Sequence, residues 1–213
     1  MASCAMMPLS PPPSPTSPPG QSQQGTVSAA QLYQQGLTLF KQMKYSQAKD
    51  TFDRVIAADP EHKHAYYYRG RCLVELEKVG SAAADFNKCL QIDPNFALGY
   101  VGKALIAIQK AEYAEALKHI EKALSLDPKN AEAFYLKGVI YGYKNQAQKA
   151  IDAFKKCLEI KPGHAYAHYQ LGLAYNQVNR KDLAIYHLEK FLILAPDAPE
   201  AEQVRALINF LRK

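Results

Sequence analysis

Apolar residues recur along most of the chain at the three- and four-residue spacing that gives a helix one hydrophobic face. Leu32, Gly36, Leu39 and Phe40 form one such stripe, and Val204, Leu207, Ile208 and Leu211 form another near the end. The stripes themselves recur. Pro60, Pro94, Pro128, Pro162 and Pro196 follow one another at intervals of 34 residues. A fixed period of this size means stacked supersecondary units, each unable to bury its apolar face alone. With proline at position 32, the units run over 29–62, 63–96, 97–130, 131–164 and 165–198.

Other columns fall into phase with the prolines. Position 8 reads Gly36, Gly70, Ala104, Gly138 and Gly172; position 20 reads Ala48, Ala82, Ala116, Ala150 and Ala184. Small residues at both places allow two antiparallel helices to approach closely. Larger residues fill the space between helices at position 24 (Phe52, Phe86, Ile120, Phe154, Leu188) and at position 4 (Leu32, Tyr66, Tyr100, Phe134, His168). Proline at 32 cannot continue a helix and resets the chain for the next unit. Asp59, Asp93 and Asp127 before three of the prolines suit a turn.

These columns resemble the tetratricopeptide repeat family, whose 34-residue unit is a helix–turn–helix with small residues at 8 and 20 and proline at 32. The resemblance covers residues 29–198 without an insertion. It departs from the family at position 4, where the chain has no tryptophan, and at Ala104. It implies an all-α superhelical solenoid of five helix–turn–helix repeats. Residues 199–213 are expected to add a C-terminal capping helix, with Pro199 in its first turn and Val204, Leu207, Ile208 and Leu211 covering the last repeat.

Composition separates the first 28 residues from the rest. They hold seven of the 13 prolines and no Asp, Glu, Lys or Arg, which predicts a disordered Pro/Ser-rich tail. The tail carries P-x-x-P spacings and Ser-Pro pairs at Ser10, Ser14 and Ser17, so it reads as a linker, a polyproline ligand or a phosphorylation site. Ala2-Ser3-Cys4 looks like the end of a bacterial lipoprotein box, without the hydrophobic stretch that should precede it. Lipidation at Cys4 would make the protein a membrane-anchored scaffold for envelope or pilus assembly; this is the alternative reading. Cys72, Cys89 and Cys157 form no C-x-x-C pair and favour buried thiols in a reducing, cytoplasmic setting. No run reaches the ~18 apolar residues of a transmembrane helix.

The net charge of +6 is modest and argues no nucleic-acid partner without a clustered patch. No phosphate-cradling, nucleophile-elbow or zinc-protease motif is present, so no enzyme, cofactor or metal is expected. His164 and His168 have metal-ligand spacing but lack a third ligand; the first is expected in an inter-repeat loop and the second in packing.

The resemblance places function on the concave face, lined in the family by positions 2, 5, 9, 12 and 13 of each unit. Here these supply Tyr33, Leu37 and Phe40, then His64, Tyr67, Arg71 and Val74. The third unit adds Leu98, Val101, Leu105 and Ile108, the fourth Glu132, Tyr135, Val139 and Tyr143, the fifth Tyr166, Tyr169, Leu173 and Asn176. This apolar and aromatic groove suits a peptide or helix of a partner protein, with Arg71 and Glu132 as isolated charges that set its register. The other role of the tyrosines is packing against the neighbouring helix. Members of the family that bind heat-shock chaperones hold a terminal carboxylate with a set of Lys, Asn and Arg. No three successive units supply that set here, so such a ligand is not expected. Self-association, with the tail or end helix of one copy in the groove of another, is the alternative to a foreign partner.

Overall fold

The computed structural model describes residues 27–213, and among them there are eleven helices and no strand. The helices are α1 (Ala29–Lys41), α2 (Tyr45–Ala58), α3 (Lys63–Glu75), α4 (Val79–Ile92), α5 (Ala97–Gln109) and α6 (Tyr113–Leu126). They continue with α7 (Ala131–Tyr143), α8 (Ala147–Ile160), α9 (Ala165–Gln177), α10 (Lys181–Leu194) and α11 (Ala201–Leu211). Each odd-numbered helix up to α9 packs on the even one that follows, and each even one on the next odd helix. Successive odd helices from α1 to α9 also touch one another, whereas successive even helices do not. The odd helices therefore form the inner layer of an all-α solenoid. The expected proline-rich tail lies outside the described residues up to residue 26, and with it the Ser-Pro sites and Cys4.

Local chemistry explains where the helices begin and end. Ser28 caps α1 in a reciprocal capping box with Gln31. His62 and His164 cap α3 and α9 through Nδ1, which accepts from the N–H of Ala65 and Ala167, and Asn130 caps α7. His164 thus lies in the inter-repeat loop, as expected, and caps the helix that follows. Asp59, Asp93 and Asp127 each accept the N–H two residues on, at 3.1, 2.9 and 3.1 Å, bridging the proline between.

Every odd-to-even turn has the same form. Lys44, Lys78, Glu112, Gln146 and Arg180 donate their N–H to the carbonyl five residues back, closing a Schellman turn. The residue before each has positive φ: Met43 (58°), Glu77 (59°), Ala111 (58°), Asn145 (54°) and Asn179 (57°). No glycine occupies this left-handed position.

The core lies between the layers. Phe52, Phe86, Ile120, Phe154 and Leu188, with the alanines of position 20, are 0–2% exposed. A Cβ on Gly70 would lie 2.6 Å, and one on Gly102 2.2 Å, from the Phe86 ring, so two helices close on that ring only because both residues lack a side chain. Ala104 is tolerated in place of glycine because its unit carries Ile120 rather than phenylalanine, and both are fully buried in one cluster. At the far end Val204, Ile208 and Leu211 of α11 cover Ala184, Leu188 and Phe191. Pro199 precedes this helix by two residues instead of standing in its first turn. Phe210, on its other side, is 69% exposed.

Candidate functional site

The inner layer brings most of the expected groove residues to one surface and withdraws three. Tyr33, Leu37 and Phe40 on α1, His64 and Arg71 on α3, and Leu98, Leu105 and Ile108 on α5 are half-buried. So are Glu132, Tyr135 and Val139 on α7, and Tyr166, Tyr169, Leu173 and Asn176 on α9. Tyr67, Val74 and Val101, expected in the lining, are core residues at 2%, 7% and 0% exposure. The valine side chains are too short to clear the seams between helices. The Tyr67 ring is packed near Phe86 and Phe96, with centroids at 6.0 and 6.4 Å. Tyr143 is 62% exposed and stacks on Tyr113, the first residue of α6, at 5.5 Å.

Three ring residues beside this surface were not among the expected lining, and one of them, Phe96, is itself buried at 8% exposure. His62, Phe96 and His164 immediately precede α3, α5 and α9, and each lies against the tyrosine at position 5 of its own unit. His62 meets Tyr33 at 4.8 Å, Phe96 meets Tyr67 at 6.4 Å, and His164 stacks on Tyr135 at 4.8 Å and 27°. The signal was in the sequence: position 34 holds a ring in three units of five.

Arg71 and Glu132 are not isolated charges. They bind each other at 3.0 Å. The same guanidinium nitrogen donates to the Tyr67 hydroxyl at 3.1 Å, and the guanidinium carbon lies 5.5 Å from the Phe40 ring centroid. The second oxygen of Glu132 is 3.6 Å from His164 Nε2, an ion-pair distance rather than a hydrogen bond. Because His164 Nδ1 accepts the Ala167 N–H, the ring proton sits on Nε2 and faces this carboxylate. Burial alone would raise the Glu132 pKa, but the charge of Arg71 prevails, with His164 and Lys161 adding to it, and holds the carboxyl down at about 2. Arg71 is desolvated and still held above its ordinary pKa, chiefly by Glu132. Burial raises the hydroxyl of Tyr33 to about 12 and that of Tyr135 upward as well.

His168 does not join His164. Its Nδ1 lies 2.9 Å from Nδ1 of His187 on α10, and its Nε2 meets the Pro162 carbonyl at 3.1 Å. That carbonyl requires the proton on Nε2, so His187 donates to His168. Burial, then the neighbouring His168, lowers the His187 pKa to about 4. Among the described residues no three His, Cys, Asp or Glu side chains converge on a metal-sized site. Cys72, Cys89 and Cys157 are free and buried, and burial raises each thiol to about 12, which makes them packing groups at neutral pH. A cavity of about 210 Å³ opens in the seam of α4, α5 and α6 beside Lys103, Glu115 and His119, and shares no residue with the inner face. No helix among the described residues is long and apolar enough to cross a membrane.

Profiles of the tetratricopeptide repeat match residues 33–95, 97–130 and 131–164. Among solved structures, a tetratricopeptide repeat protein of Thermus thermophilus is similar with a TM-score of 0.73 and 19% identity, over 86% of this chain and 98% of that one. The APC/C hetero-tetramer Cut9–Hcn1 gives a TM-score of 0.75 and 20% identity, over 90% of this chain and 38% of that one. YrrB, described as a repeat protein of the same kind with an unusual peptide-binding site, gives 0.52 and 21%, over 86% and 95%. No curated protein matches the sequence.

Proposed function

The chain belongs to the tetratricopeptide repeat family, and from that premise we propose that it is a non-catalytic adaptor whose inner face takes an apolar peptide or helix of a partner protein. One observation carries this reading: half-buried rings and aliphatic groups line the inner face from α1 to α9, crossed at one place by the Arg71–Glu132 pair. Tyr33, Phe40, Tyr135, Tyr166 and Tyr169 offer large contact area with few rotors to freeze, and Leu105 on α5 and Leu173 on α9 add aliphatic surface. The fold is one that carries a peptide-binding site in YrrB. Three buried free thiols suit a reducing, cytoplasmic home.

The test is affinity capture from the source cell with the full chain, wild type beside Tyr135→Ala/Leu105→Ala, with circular dichroism to verify the fold. A partner held by the wild type and lost from the variant is the expected result. Equal recovery by a folded variant would sink the groove reading. A second reading, self-association, draws on Ile193 and Phe210, which stand 71% and 69% exposed near the C-terminal end. Light scattering of Phe210→Asp separates it: a wild-type mass that falls on dilution, beside a variant that stays monomeric, favours assembly.

A further inference from the structure

Arg71 and Glu132 are 61 residues apart in sequence. They lie on α3 and α7, whose backbones do not meet, because α5 stands between them and touches both. Their 3.0 Å bond therefore crosses the curve of the inner face as a chord, rather than sealing a seam between neighbours.

Both ends of the chord are held in place. Arg71 leans on the Tyr67 hydroxyl and on the Phe40 ring. Glu132 faces His164, whose ring is pinned by its capping bond and by stacking on Tyr135. Side chains fixed before they meet lose little rotamer freedom on pairing, and at 18% and 22% exposure the pair is shielded from the screening that weakens surface bridges. In a solenoid each unit rests only on its neighbours, so small rotations per unit add up along the array. A bond between units two apart opposes that accumulated rotation directly.

We infer that the Arg71–Glu132 pair, seated against His164, is a latch that holds the solenoid wound across α5, and that its release opens the inner face between α3 and α7. The latch is independent of whether the groove takes a peptide. A ligand spanning the whole inner face would have to displace it.

Double electron–electron resonance on the full chain, with spin labels on unnatural residues at the exposed positions Gln35 in α1 and Gln177 in α9, reads the separation of the two arms. Wild type is expected to give one narrow distance. Arg71→Ala and Glu132→Gln are expected to shift it to longer values and broaden it. Arg71→Ala/Glu132→Ala leaves no unpaired charge, so it folds even where a single variant does not, and it should show the same shift. Distributions that superimpose on wild type in every variant with unchanged helicity would overturn the latch. The readout contains no partner, so it stands apart from the capture experiment.

Discussion

Arg71 and Glu132 show how the inner face tolerates charge among rings: each is desolvated, and each is the other's main compensation. Removing one partner leaves a charge without its counter-ion in a poorly solvated place, whereas removing both does not. Arg71→Ala is therefore expected to lower unfolding stability by about 2–4 kcal/mol. The double change to alanine should cost less than the sum of the two single changes, a coupling that chemical denaturation of the four-member cycle measures. His187 sets a different dependence. Its native pKa of about 4 lies below the ~6.5 of an unfolded imidazole. Above pH ~6.5 neither state binds the proton and stability is unaffected. As pH falls, the unfolded chain takes a proton that the native ring refuses, so stability drops progressively down to about pH 4. His64, His119 and His168, all lowered by burial, push the same way. Glu132, held at about 2 against 4.5 when unfolded, adds a loss that sets in near pH 4.5, at the lower end of that window, and continues down to about 2. Melting temperatures at pH 7 and pH 5 should differ in wild type and differ less in His187→Phe.

A helix pair here is defined as much by its turn as by its packing. The left-handed residue of the Schellman turn costs a non-glycine residue roughly 1–2 kcal/mol, yet Met43, Glu77 and Ala111 adopt it because the paired helices leave no other path. Asn145 and Asn179 suit it better, since asparagine visits this region readily. Met43→Gly removes the strain at an exposed site and is expected to stabilise by about 0.5–1 kcal/mol, read as a raised melting temperature. Gly102→Ala acts in the opposite sense, because its methyl would meet the buried Phe86 ring at 2.2 Å. We expect a loss of about 1–3 kcal/mol, while Gly142→Ala, with nothing within 4 Å, is neutral or mildly stabilising. The small-residue columns at 8 and 20 were readable from period alone, and so were the aspartate turns. The glycine that meets its neighbour most closely, Gly102, sits outside those columns. It matters only because the seam between α3 and α5 is where the Phe86 ring lies.

For the molecule as a whole, stability is passed along the array and ends at α11. Deleting residues 199–213 would bare Leu188 and Phe191, so the shortened chain is expected to melt at lower temperature and to gain mass with concentration in light scattering. The 34-residue period determined the repeat, and its columns, through their resemblance to the tetratricopeptide repeat, implied the fold class and the layer each column belongs to, since stacked units with one shared geometry must place equivalent residues equivalently. It also marked most of the inner face. Tertiary structure decided what equivalence hides. Tyr67 and Val101 share a column with Tyr33 and Tyr135, but only the first two are core, because exposure depends on the rings and gaps of the neighbouring helices. Arg71 and Glu132 belong to different columns of different units. Their meeting depends on how far the solenoid winds over α5, a sum of many small packing angles that no single repeat contains.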